Sequence, residues 1–199
     1  MGKYEIKYFL FLDTETTGLN PEKHEIIQVA CILTHTDLRV IDRYDSYIRP
    51  TRPELGAEAF TINKISMETL NAAPNLLDVL SGLVKFCSIN IGKDTALQNI
   101  MLVGQNIKFD IGFLNHAFKK IGLQQHPFNY HTLSLDNIYI LYNLVINKEF
   151  PKSVKLERMC EAFSIPTKGL HNAVVDIENT YKLFSIMLNG MLSNMRTSA

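Results

Sequence analysis

The sequence predicts an α/β domain, a sheet flanked by helices, and three observations predict it. Apolar runs with a two-residue alternation fill the opening stretch of the chain. Apolar residues then recur at helical spacing from about residue 75. A later strand pattern leads directly into another helical one, and strands followed by strand–helix units belong to the α/β class.

The first strand is residues 8–12, a short apolar run rich in aromatics, as a buried central strand requires. Ile27, Val29 and Cys31 alternate with Gln28 and Ala30, and residues 40–48 alternate again. These give two more strands in an antiparallel meander. From Asn75, the residues Leu76, Leu80, Leu83, Val84 and Cys87 line one face of a helix. Residues 91–99 are polar and read as a loop. Residues 100–103 form a fourth strand, and Gly104 starts the turn into a helix holding Ile111, Leu114, Phe118 and Ile121. A fifth strand near 130–133 precedes helices at about 134–146 and 153–163, and a last helix spans about 172–188.

With 199 residues, 46% hydrophobic and 20% charged, the chain has the makeup of one ordinary domain with a sizeable core. Residues 1–190 are expected to form that domain, with 191–199 a short C-terminal tail. No apolar run is long enough for a membrane span, and none has the form of a signal peptide. Cys31, Cys87 and Cys160 are odd in number, far apart and set in apolar segments. They read as reduced core residues of a cytoplasmic protein. The formal net charge is zero, so tight binding of long duplex nucleic acid is not expected.

Against this apolar background stand four carboxylates and a histidine in three separated pieces. Asp13 and Glu15 end the first strand in Asp13-Thr14-Glu15-Thr16-Thr17-Gly18. Asp110 follows in Asn106-Ile107-Lys108-Phe109-Asp110, and His171 and Asp176 come last in His171-Asn172-Ala173-Val174-Val175-Asp176. On a strand, positions i and i+2 face the same side, so Asp13 and Glu15 point together, and Gly18 frees the backbone to turn. Asp110 sits in the first turn of its helix, where an acid complements the helix dipole. His171 and Asp176 are five residues apart, one more than a single helix face allows. With Asn172 as N-cap, Asp176 lies in the first turns and His171 just outside them, after a flexible Gly169. Acids beside packed elements carry a desolvation cost unless cations pair with them. No Lys or Arg lies within two positions of Asp13, Glu15 or Asp176, and Asp110 has only Lys108. Two divalent metal ions would satisfy all four acids and suit in-line attack on a phosphodiester. His24, His35, His116, His126 and His131 show no zinc-type spacing.

The three pieces, in this order, resemble the exonuclease motifs of the DnaQ-like 3′–5′ exonucleases of the DEDDh type. The matching residues are Asp13, Glu15, Thr16 and Gly18; Asn106, Phe109 and Asp110; and His171, Ala173 and Asp176. The resemblance implies an RNase H-like fold with a central mixed five-stranded sheet flanked by helices. It implies hydrolysis of single-stranded nucleic acid, DNA favoured, from a 3′-hydroxyl end to nucleoside 5′-monophosphates. Asp13, Glu15, Asp110 and Asp176 would hold two Mg²⁺ or Mn²⁺, with His171 as general base. Thr16 and Thr17 would meet the terminal 3′-hydroxyl, and Leu19 would wedge between the last two bases. Gly18, Asn106 and Phe109 complete the implied substrate contacts. Residues 59–65 resemble a family stretch that packs on the terminal base, commonly Ile-His-Gly-Ile. Here Ile62 remains, while Asn63 and Lys64 replace the His and Gly; Gln105 likewise stands where the family often has His. The implied partner is a 3′ end of single-stranded DNA or RNA. A DNA polymerase is a further implied partner, although a stand-alone enzyme fits the short end of the chain better. An exoribonuclease of the oligoribonuclease or RNase T kind is the alternative within the class. An RNase H-type endonuclease and a non-catalytic nucleic-acid-binding module are rivals from outside it.

Overall fold

The two faces of one strand organise the molecule. The computed structural model describes residues 5–52 and 57–197. Strand β1 (Tyr8–Thr16) pairs antiparallel with β2 (Ile26–His35) and parallel with β4 (Ile100–Gly104). Strand β3 (Val40–Tyr47) lies outside β2, and β5 (Thr132–Ser134) runs parallel outside β4, giving the order β3-β2-β1-β4-β5. The expected meander and the mixed five-stranded sheet are both present.

On one face, Leu10 and Leu12 join Val29, Cys31 and Leu33 in a core beneath α3 (Leu76–Ile91) and α4 (Lys108–Lys120). On the other, Phe11, Ala30 and Ile32 pack against Ile177 and Phe184 of α7 (Ala173–Thr197). Phe11 makes an edge-on contact with Phe184, their ring centres 5.3 Å apart. Strand β2 is therefore buried almost throughout, on both faces, and its alternation is one of residue type rather than of exposure. Cys31, Cys87 and Cys160 are buried and free, as expected. Among the described residues no helix is long and apolar enough to cross a membrane.

Two short helices occupy a stretch for which the sequence reading named none: α1 (Ala57–Asn63) and α2 (Met67–Ala72). Ser66 caps α2 by accepting from the Thr69 N–H at 3.0 Å, and Asn75 caps α3 by accepting from Asp78 at 2.9 Å. Such caps contribute about 1 kcal/mol each. Between the two short helices, Lys64 has φ +57°, the left-handed region that favours glycine. This is the position at which the related stretch commonly carries Gly. Lys64→Gly should stabilise the protein by roughly 1 kcal/mol or less, raising Tm by up to about 2–4 °C. A thermal melt that is unchanged or lower would refute this strain.

Helix α5 (Leu135–Tyr142) runs on into a π-helical turn, Asn143–Asn147, and α6 (Leu156–Ala162) follows. The last helix departs from expectation. It continues to Thr197 instead of ending near residue 188, so residues 191–197 are helical. Residues 198 and 199 lie outside the described residues. An Asn-Gly pair such as Asn189-Gly190 often ends a helix, but Gly190 serves another purpose. A Cβ there would lie 2.9 Å from the ring of Tyr142, so the glycine permits close packing within a continuing helix.

Candidate active site

Alternation places Asp13 and Glu15 on the face of β1 that carries Phe11, the face covered by α7. The first turn of α7 brings Asp176 to them. Carboxylate oxygens of Asp13, Glu15 and Asp176 all lie within 4.8 Å of one another. Asp110 arrives from the other face. It is buried in the first turn of α4, and its Oδ1 accepts from Thr14, from the N–H at 3.0 Å and the hydroxyl at 2.7 Å. Thr14, the residue between Asp13 and Glu15, points away from them and holds the fourth acid beside the other three.

Burial raises every one of these acids, and crowding by the others adds to it at Asp13 and Glu15. Burial, then the charges of Asp110, Asp176 and Glu15, push the Asp13 carboxyl well above its ordinary range. Glu15 is pushed up to about 7, by burial and then by Asp176 and Asp110. Burial raises Asp110 to about 7 against the opposing hydrogen bonds from Thr14. It raises Asp176 to about 6, opposed by the backbone N–H and the charge of His171. Among the described residues none of the four forms an ion pair with Lys or Arg, Lys108 included. Asp176 also keeps a buried Oδ1 with no hydrogen-bond donor in reach. An all-oxygen set of raised, unpaired acids with an unsatisfied buried oxygen fits a hard divalent cation.

His171 lies just outside α7, exposed, with φ +68°. Its backbone N–H donates to Asp176 Oδ2 at 3.2 Å, and Asn172 caps the helix by accepting from Val174 at 3.1 Å. The five-residue spacing is thus resolved as expected, with the imidazole free beside the acids. A left-handed, non-glycine residue at such a place is backbone strain of the kind functional sites hold.

The turn after β1 is built differently from the sequence reading. Gly18 does not have positive φ; instead the His24 ring lies over it, and a Cβ would come within 2.4 Å of that ring. His24 Nδ1 in turn lies 3.1 Å from both the N–H and the carbonyl of Asn20. Beside this turn Leu19 is 84% exposed, and on α1 Ile62 is 57% exposed, both free to meet a ligand. The hydroxyls of Thr16 and Thr17 are buried and serve the turn: Thr16 donates to the Gly18 carbonyl, and Thr17 accepts from the Glu25 N–H. Asn106 is exposed with φ +50°, while Phe109 is half-buried with its ring 4.9 Å from that of Phe113. Gln105 donates to the Val154 carbonyl at 3.4 Å.

Three residues that shape the site were not singled out from the sequence: Thr14, His24 and Gln28. Only Gln28 carried a signal, a polar residue in an apolar strand; Thr14 and His24 sit in polar stretches that gave none. A cavity of about 440 Å³ elsewhere, walled by Ile26, Ile48, Leu76 and Phe113, contains none of the four acids.

The exonuclease family model (RNase T) matches residues 10–184. The chain is 30% identical over 192 residues to ribonuclease T of Haemophilus influenzae, covering 92% of this chain and 80% of that protein. It is 26% identical over 190 residues to the DNA polymerase III subunit epsilon of Rickettsia prowazekii, covering 94% of this chain and 76% of the subunit. With the PolC-type DNA polymerase III of Bacillus subtilis it is 31% identical over 184 residues, 92% of this chain but 12% of the polymerase. Among solved structures, E. coli exonuclease I in complex with a dT13 oligonucleotide superposes with a TM-score of 0.78 at 19% identity, over 96% of this chain and 43% of that one. The nuclease domain of 3′hExo, a DEDDh family member bound to rAMP, gives 0.75 at 22% identity, over 95% and 94%. These likenesses fix the fold.

Proposed function

This chain belongs to the DnaQ-like exonuclease family, and on that premise we propose that it is a 3′–5′ exonuclease hydrolysing single-stranded nucleic acid from a 3′-hydroxyl end. The observation that carries the reading is the group of three carboxylates within 4.8 Å, with Asp110 fixed beside it. Asp13, Glu15, Asp110 and Asp176 would hold two Mg²⁺ or Mn²⁺. Bound there, the ions would supply Lewis acidity for an attacking water and for the departing 3′-oxygen. His171, free at the edge of the cluster, takes the proton from that water as general base. Leu19 and Ile62 offer apolar surface to the terminal bases, and Thr16 and Thr17 shape the turn at which the 3′-hydroxyl is met. Their hydroxyls are engaged in that turn, so their backbone atoms are the better candidates for the contact.

DNA is favoured as substrate, by likeness to the epsilon subunit and to exonuclease I, whose structure holds a DNA oligonucleotide. The ribonuclease T relative favours the second reading, an exoribonuclease. A DNA polymerase is a candidate partner on the epsilon and PolC likenesses.

Matched DNA and RNA oligomers labelled at the 5′ end test the reading together. A descending ladder in Mg²⁺ or Mn²⁺, absent in EDTA, is expected, with the preferred sugar giving the faster ladder. Cutting of a circular strand would instead show an endonuclease. In the same assay Leu19→Ala should slow degradation by the equivalent of about 1–3 kcal/mol, the worth of one stacking contact. Wild-type rates for Leu19→Ala would make it an ordinary surface residue.

A further inference from the structure

A polar side chain buried in an apolar strand costs stability unless it is bonded, and Gln28 is only 1% exposed. In the β1–β2 register it stands opposite Glu15, so the two side chains share the face that α7 covers. Its Oε1 accepts from the Ala173 N–H at 3.3 Å, a bond spanning 145 residues of chain. Ala173 is the first residue of α7. A helix leaves its first N–H groups without partners inside the helix. Here Asn172 takes that of Val174 and Gln28 takes that of Ala173, while Asp176 accepts from His171 just before the helix. Of these three acceptors, Gln28 alone belongs to the sheet.

We propose that Gln28 is a positioning residue for hydrolysis. It ties the N-terminus of α7 to the strand beside Glu15, and so sets Asp176 and His171 against Asp13 and Glu15. The proposal rests on the exonuclease reading above. Of the buried apolar contacts along α7, the Ala173 methyl is the one in its first turn, while the larger Ile177 and Phe184, which hold the helix on the sheet, lie beyond it. Without the Gln28 bond the helix stays docked while its first turn slackens. Displacements of about 1 Å at a reacting centre can cost roughly 10²-fold in rate.

The test compares Gln28→Leu and Gln28→Asn with Ile32→Val, a core change in the same strand that leaves the bond intact. Gln28→Leu removes the acceptor, and Gln28→Asn keeps the amide but falls one methylene short. Each should lower kcat about 10–100-fold at saturating Mn²⁺, with KM for an oligomer within threefold. Hydrogen exchange of the peptide that starts α7 should quicken in both. Ile32→Val should keep the parental kcat even if its Tm falls as far. Faster exchange with kcat within twofold of the parent would overturn the proposal, as would an equal loss in Ile32→Val. If the parent shows no hydrolysis at all, the exonuclease reading fails first, and exchange at α7 still reports on the bond. Should Gln28→Leu fail to fold, Gln28→Asn decides alone.

Discussion

Asp13→Asn should abolish hydrolysis and, in EDTA at pH 8, melt at a higher temperature than the parent. The two effects have one cause. Asp13, Glu15, Asp110 and Asp176 are held together by the fold; burial raises all four above the ordinary carboxylate range, and repulsion from the other acids adds to it at Asp13 and Glu15. Between about pH 4, where unfolded acids titrate, and the folded values of about 6 to 7 for Asp176, Glu15 and Asp110, the native state binds more protons than the unfolded state. Metal-free stability therefore falls as pH rises through that window, and the full penalty is present above it. Below pH 4 both states are protonated and the penalty vanishes. An amide at position 13 keeps the shape and removes one charge, a gain on the order of 1–2 kcal/mol or roughly 2–8 °C in Tm. The same change removes an acid needed for cation binding, so the rate should fall by several orders of magnitude. Mn²⁺ should raise the parent's Tm strongly and the variant's weakly. Calorimetry across pH 5–8, with and without EDTA, checks the sign. A lower Tm for Asp13→Asn in EDTA at pH 8 would refute the repulsion account, and surviving hydrolysis would refute the catalytic one.

His171→Ala should lower kcat by roughly 10²–10⁴, the usual contribution of a general base. Substrate and Mn²⁺ affinities should change little, because the imidazole lies outside the acid cluster. The structure adds a control. His171 has a left-handed backbone, and its N–H, not its ring, bonds Asp176. Asn tolerates that conformation well, so His171→Asn should keep the loop and the bond while losing the base. Both variants should show the same fall in kcat, with His171→Asn the more stable. An intact kcat would show that no side-chain base is needed. A collapse of Mn²⁺ affinity in His171→Asn would make His171 a ligand instead.

Much of this site was legible before any coordinates. The two-residue period of a strand put Asp13 and Glu15 side by side, since successive side chains of a strand must alternate. The N-cap preference of Asn172 set His171 outside the last helix and Asp176 in its first turn, because helix ends leave donors that such side chains satisfy. These are local rules, and they act within a handful of residues.

What the local rules could not supply was which faces meet. Thr14 holds Asp110 across 96 residues and Gln28 holds Ala173 across 145, contacts that no short-range period encodes. Gly18 and Gly190 carry the usual marks of a turn and a helix end, yet each is set by an aromatic ring brought from elsewhere in the chain, His24 over one and Tyr142 against the other. By itself the sequence determined the strands, the larger helices, the acids and the order of the motifs. Only the tertiary structure decided that three acids share one face of β1 while the fourth is handed across from α4, because packing joins surfaces that the chain keeps far apart.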